Sequence, residues 1–297
     1  MPDSYAHKYN AQCALKIANY KPRNYQTFIL GCNGPDVFYY YRKYDPFRTQ
    51  NMSTLSNLLH TNRTGLFMQN MFRFAQTNAQ KDFCLGWLCH YSLDSIMHPY
   101  INYVTTAYAH PFNIDQGHSF FESSLDSYIS KHETGFPAAN PDEYLPDISK
   151  MYVDQIITLV KQAVDATYPE EKYERSDYIQ AYNDFRRIKK TLYAPGPLTR
   201  FYARFLEVVL RLKKDYILSR VQPCFMEIKD IGVWRNNPMG FFCTATIEEL
   251  MEKANYTSAD HIAVGLKYFD GVYNLQDLLE DIGNKSYATG LATEEQL

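Results

Sequence analysis

The sequence contains no long apolar run. Nothing in its 297 residues approaches the 18 consecutive apolar positions that mark a membrane-spanning helix. It also lacks a basic block. Its 30 Lys and Arg face 33 Asp and Glu, for a net charge of −3. The basic stripe of a nucleic-acid surface is therefore missing, and nucleic acid is not an expected partner. The one short cluster, Arg186, Arg187, Lys189 and Lys190, reads as a solvated helix face. Internal repeats, low-complexity linkers and the alternating pattern of strands are nearly absent. The opening residues, Met1 to His7, hold neither the basic nor the apolar region of a secretory signal, so a cytoplasmic protein is expected. Six cysteines, at 13, 32, 84, 89, 224 and 243, form no C-x-x-C pair and no disulfide framework. They read as reduced, buried thiols.

What the chain does have is helical periodicity. Hydrophobic content of 45% and charged content of 21% suit a folded globular protein. Apolar spacing predicts helices over 5–20, over 54–74 with an interruption at Gly65, and over 79–102, 117–131, 148–168, 175–191, 198–221, 246–254, 258–272 and 275–282. Pro99 is expected to kink or end the 79–102 helix. Gly34 and Pro35 break the chain and present Asp36 on a turn. Segments 41–51, 103–116, 134–147 and 230–245 read as loops or irregular chain. The expected fold class is all-α: a single multi-helix domain over 1–297, with a metal-ligand half (1–132) and a helical remainder (133–297).

The central helix has an unusual face. His90, Asp94 and His98 stand four apart, so they stack as a polar column. The column continues the apolar stripe of Phe83 and Trp87. Polar groups placed on a core face are costly unless something neutralises them. Neutral imidazole and carboxylate are both zinc ligands, so a metal explains the column. His118 and Glu122 repeat the four-residue step on the next helix. His7, taken alone, reads as a structural side chain, and Asp36 beside Pro35 as turn chemistry.

Together these residues form one ordered pattern: His7, Asp36 after Gly-Pro, His60, His90-x3-Asp94-x3-His98, and His118-x3-Glu122. In that pattern the chain resembles the zinc-dependent phospholipase C family, distantly related to the trinuclear zinc nucleases of the S1/P1 type. The element from Trp234 to Pro238, followed by an Ile-Glu-Glu-Leu helix, looks like the family's C-terminal part. The resemblance implies two to three zinc ions. Asp36, His60, His90 and Asp94 would hold the first; His98, His118 and Glu122 the second; His7 the third, bridged by Asp94. In the family the free N-terminus completes the third site, a role that falls here to Met1 or Pro2. Three Zn²⁺ against the carboxylates of Asp36, Asp94 and Glu122 leave a positive surplus suited to a phosphodiester.

The implied activity is a phosphoric diester hydrolase that splits a phospholipid into diacylglycerol and a phosphorylated head group. Asp36 is the favoured general base and Glu122 the runner-up. Such an enzyme would contact a membrane surface transiently. Choline-specific members carry aromatics where this chain has Val37 and Asn57, so a choline cage is not expected; Tyr39, Tyr40 and Tyr41 lie near in sequence. Two other readings stay open. One is a nuclease, nucleotidase or other soluble phosphoester hydrolase on the same cluster; the other is a non-enzymatic zinc-binding protein with closed sites.

Overall fold

A computed structural model describes the chain apart from residues 1, 2, 46, 49, 50, 108–113, 139, 146, 194, 195, 225–227, 229, 230 and 294–297. Helix α5 (Asn78–Ala107) forms its centre. Phe83, Leu85, Trp87, Leu88, Leu93, Met97 and Ile101 are all buried along it. A helix that is apolar around most of its circumference must be wrapped by others. It is wrapped by α1 (Ser4–Ile17), α2 (Tyr25–Gly31), α6 (Ile114–Thr134), α8 (Lys150–Thr167) and α11 (Ile247–Phe269). Helices α2 and α5 touch backbone to backbone: a Cβ on Gly31 or Gly86 would collide with the Phe83 or Phe28 carbonyl.

The remaining elements are α3 (Ser53–Thr61), α4 (Thr64–Phe74), α7 (Pro141–Tyr144), α9 (Arg175–Leu192), α10 (Pro197–Val209) and α12 (Leu275–Ile282). Gly34–Tyr40 and Leu218–Arg220 are 3-10 turns. Trp234–Asn236 pairs antiparallel with Phe241–Cys243 in a small hairpin. The fold is all-α apart from that hairpin. No helix among the described residues is long and apolar enough to cross a membrane, and all six cysteines are free thiols.

Several boundaries differ from those expected, each for a local reason. The break between α3 and α4 falls at Arg63 (φ 48°) rather than Gly65, with the Arg63 guanidinium tied to the Thr167 carbonyl at 2.9 Å. Helix α5 runs through Pro99 to Ala107. Pro99 cannot donate to the Ser95 carbonyl, and Gly290 packs against that oxygen so closely that a Cβ there would stand 2.6 Å away. Segments 246–254 and 258–272 are one helix, α11, which opens with a capping box between Thr246 and Glu249. Its mid-helix Ser258 is buried and bonded to Asn10 at 2.9 Å, so a polar stretch stays helical. The 198–221 helix stops at Val209, because Arg211 (φ 51°) and Asp215 (φ 64°) are left-handed. Helix α7 lies in the 134–147 stretch expected to be a loop, α2 in chain given no expected structure, and the 3-10 turn at 34–40 presents Asp36 on a turn as expected. His110 and Pro111 lie outside the described residues.

Candidate metal centre

Asp36, His60, His98, His118 and Glu122 line a cavity of about 360 Å³, while His90 and Asp94 are fully buried. Helix α5 delivers His90, Asp94 and His98, α6 delivers His118 and Glu122, and α3 delivers His60. Helix α1 brings His7, and the 3-10 turn brings Asp36. Gly34 (φ 48°) makes that turn possible: a Cβ there would overlap the His90 ring. Asp126 on α6 fixes α1 by accepting from the backbone N–H groups of Tyr5 (3.0 Å) and Ala6 (2.8 Å). It extends the His118, Glu122 spacing by one more step of four, a signal legible in the sequence. Burial pushes its carboxyl up to about 7, against the pull of those two donors.

The structure brings all eight pattern residues together. His90 Nε2 lies 3.2 Å from Asp94 Oδ2, and His7 Nε2 lies 3.3 Å from Asp94 Oδ1. His60 Nε2 is 3.3 Å from Asp36 Oδ1 and 3.7 Å from Asp94 Oδ2. His118 Nε2 is 2.6 Å from Glu122 Oε1. The His7 and His90 rings stack at 4.1 Å. Among the described residues, three groups could each hold an ion: His60 with His90 and Asp94; His98 with His118 and Glu122; and His7 with Asp36 and His90. The third grouping differs in composition from the one the resemblance implied. Met1 and Pro2, the implied terminal ligands, lie outside the described residues.

Hydrogen bonds around the centre suit a cation. His60 Nδ1 bonds the Ser56 carbonyl (2.6 Å), His90 Nδ1 that of Cys32 (3.1 Å) and His98 Nδ1 that of Tyr287 (2.7 Å). Bonds of this kind fix the tautomer and aim Nε2 at a metal. His60 Nε2, His90 Nε2, both nitrogens of His7, Asp36 Oδ1 and both oxygens of Asp94 are buried without a hydrogen-bond partner among the described residues. Buried polar atoms are normally paired, so this concentration marks a place for positive charge. Burial alone would push the Asp94 carboxyl up. The neighbouring imidazoles, His90 foremost, outweigh it and hold Asp94 well below the usual range. Burial lowers His98 to about 3 and His118 well below its ordinary value. Both rings are therefore neutral at pH 7, the form that binds metal.

The donor set of imidazole nitrogens and carboxylate oxygens is that of zinc. A family model, zinc dependent phospholipase C, matches residues 6–179. The chain belongs to that family. The match ends before Trp234, so the likeness read there falls outside the matched residues. Trp234 is instead a buried anchor, donating to the Ala245 carbonyl (3.0 Å) and packed edge-on to Tyr100. No curated protein and no solved structure matches the chain. Family and side-chain clusters together point to a zinc-dependent, phospholipase C-like hydrolase.

The cavity wall also carries aromatic and cationic side chains. Tyr39 stacks over His60 at 5.6 Å and donates to Asn57 Oδ1 (2.6 Å). The Tyr40 ring carries the Lys43 ammonium at 4.9 Å. Lys43 and Arg220 both line the cavity, and neither has a carboxylate partner within ion-pair reach among the described residues. Burial first, and Arg220 second, lower Lys43 to about 7. Lys189, behind Tyr40, is paired with Asp3. Tyr41 turns away to bond Asp177 (2.8 Å), and Val37 is buried. Lys43 and Arg220 were not singled out by the sequence, because they lie far apart in it. Lys189 belongs to the short basic run read as a solvated face, but it is buried and paired with Asp3.

Proposed function

We propose that the protein hydrolyses the glycerol–phosphate bond of a phospholipid, releasing diacylglycerol and a phosphorylated head group. The observation that carries this reading is the set of buried, unsatisfied imidazole and carboxylate atoms beneath an open cavity, in a chain of this family. Asp36, His60, His90 and Asp94 are the proposed holders of one zinc ion, and His98, His118 and Glu122 of another. His7 is the proposed ligand of a third. Zinc bound there supplies positive charge for the phosphate and acidifies water.

The chain's own residues do the rest. Asp36 and Glu122 both line the cavity, where a carboxylate can take a proton from water as that water's oxygen attacks phosphorus. Asp36 is the proposed base. The phosphorus–glycerol oxygen bond breaks, and the glycerol oxygen receives the proton. Lys43 and Arg220 face the same cavity and attract an anionic substrate. Lys43 already occupies the Tyr40 ring, which argues against a choline ammonium there. Tyr39 and Asn57 satisfy each other.

The test is a substrate panel on zinc-loaded protein: a long-chain phospholipid, a short-chain soluble diester and an oligonucleotide. Release of diacylglycerol as the fastest reaction supports the proposal. Faster cleavage of the oligonucleotide would transfer the site to nuclease chemistry. No turnover of any diester at full zinc loading would leave the non-enzymatic zinc-binding reading.

A further inference from the structure

Helix α10 turns its apolar side outward. Leu198, Phe201, Tyr202, Phe205, Val208 and Val209 lie on one helix face. They are between 52% and 82% exposed. The opposite face is already in use. Ala203 and Leu206 pack in a small core with Ile188, Leu192, Ile217 and Val221. Glu207 points inward and accepts from the backbone N–H groups of Asp215 (3.1 Å), Ile217 (2.7 Å) and Leu218 (2.9 Å). Rolling the helix to hide its aromatics would break all three bonds and strand a buried carboxylate.

Charge is sorted as well. Between 197 and 214 the exposed charged residues are Arg211, Lys213 and Lys214. The nearby acids, Glu207 and Asp215, are buried, and both are bonded by Arg204. The exposed surface of residues 197–214 is therefore apolar along the helix and cationic just past its C-terminal end, with no exposed carboxylate. That combination marks a helix lying in the plane of an anionic lipid interface. The same segment reaches the cavity: the chain returns from α10 through Leu218–Arg220, and Arg220 lines the cavity. Arg200 of α10 also bonds the Pro223 carbonyl.

We propose that α10 is an interfacial docking helix that seats the protein on an anionic lipid surface. A second copy of the chain fits less well. Thirteen residues of helix make a strip about 20 Å long and roughly 10 Å wide, on the order of 200 Å² per partner, against about 800 Å² in a standard interface. Pairing two such strips would also bring two sets of cations together. The choice of lipid rests on the phospholipase reading above; the docking itself does not.

The experiment is co-sedimentation of the full chain with vesicles of phosphatidylcholine alone and of phosphatidylcholine mixed equally with phosphatidylserine. Each cation near such a surface adds about fivefold to binding. The mixed vesicles should therefore bind roughly a hundredfold more tightly. Replacing all three cations (Arg211→Gln, Lys213→Gln, Lys214→Gln) should remove that preference. Phe201→Ser with Phe205→Ser should weaken binding to both vesicles by at least about tenfold. All of these side chains are exposed, so the fold is retained. Equal vesicle binding by wild type and both variants, or none by wild type, would overturn the proposal. So would a wild-type dimer in solution that the serine variant splits, since the face would then belong to a second copy. Hydrolysis of a soluble short-chain diester, read in the same samples, separates the two readings. Its loss with vesicle binding intact removes the phospholipase and leaves the docking helix.

Discussion

Two buried carboxylates in this protein have opposite surroundings. Glu207, 2% exposed, accepts three backbone N–H groups and an arginine. Asp94, 0% exposed, has no hydrogen-bond partner for either oxygen among the described residues, and imidazoles from α1, α3 and α5 surround it. A buried carboxylate is tolerated only when paired. Glu207 meets that condition within the chain and serves the fold. Asp94 meets only imidazole nitrogens at 3.2–3.8 Å, with no hydrogen bond to either oxygen among the described residues, and its surroundings suit a cation from outside. Asp82 and Asp126 fall with Glu207, each accepting backbone or phenol donors.

The largest test of this contrast is Asp36→Asn. Asn keeps the size but cannot take a proton. Turnover at saturating zinc should fall about 10²–10⁴-fold while the melting temperature holds; wild-type turnover would remove Asp36 from the mechanism. Glu207→Gln should do the reverse. Weakening a buried carboxylate network costs about 3–5 kcal/mol, so denaturant titration should show that loss, with zinc per folded chain unchanged. Chelation comes next: zinc at 100 times its Kd adds about 2.7 kcal/mol per ion, so removing it should lower the melting temperature by roughly 4 °C for each ion. An unchanged melt would mean that no ion is bound at the centre. The smallest effect belongs to Lys43→Gln, which should raise KM for an anionic diester about tenfold through one charged hydrogen bond, with kcat little altered. An unchanged KM would place Lys43 away from the substrate.

Much of the site was legible because helices convert spacing into direction. Steps of four placed His90, Asp94 and His98 on one face and His118 with Glu122 on another. The joining of these faces to His60 and His7 could not be read from spacing; it came only through family resemblance. Asp126 was missed although it continues the four-residue step of His118 and Glu122, because a second acid at that spacing equally suits a solvated face. Periodicity also failed where bonds across the fold override local preference, as at Ser258 in α11 and at Pro99 in α5. Helix α10 shows the deeper limit. An apolar stripe tells which residues share a face, not whether the face points inward. That direction is set by Glu207, whose partners lie eight to eleven residues away.

The most direct measurement is metal content by elemental analysis of chelator-free protein, compared across wild type, His98→Ala and Asp94→Ala. Two to three zinc ions per chain are expected in the wild type. His98→Ala should empty one site, and Asp94→Ala should weaken two, since each Asp94 oxygen faces a different imidazole set. Less than one zinc per wild-type chain would contradict the claim that the unsatisfied carboxylate marks a metal centre, and equal zinc loss in the two variants would contradict the bridging role of Asp94.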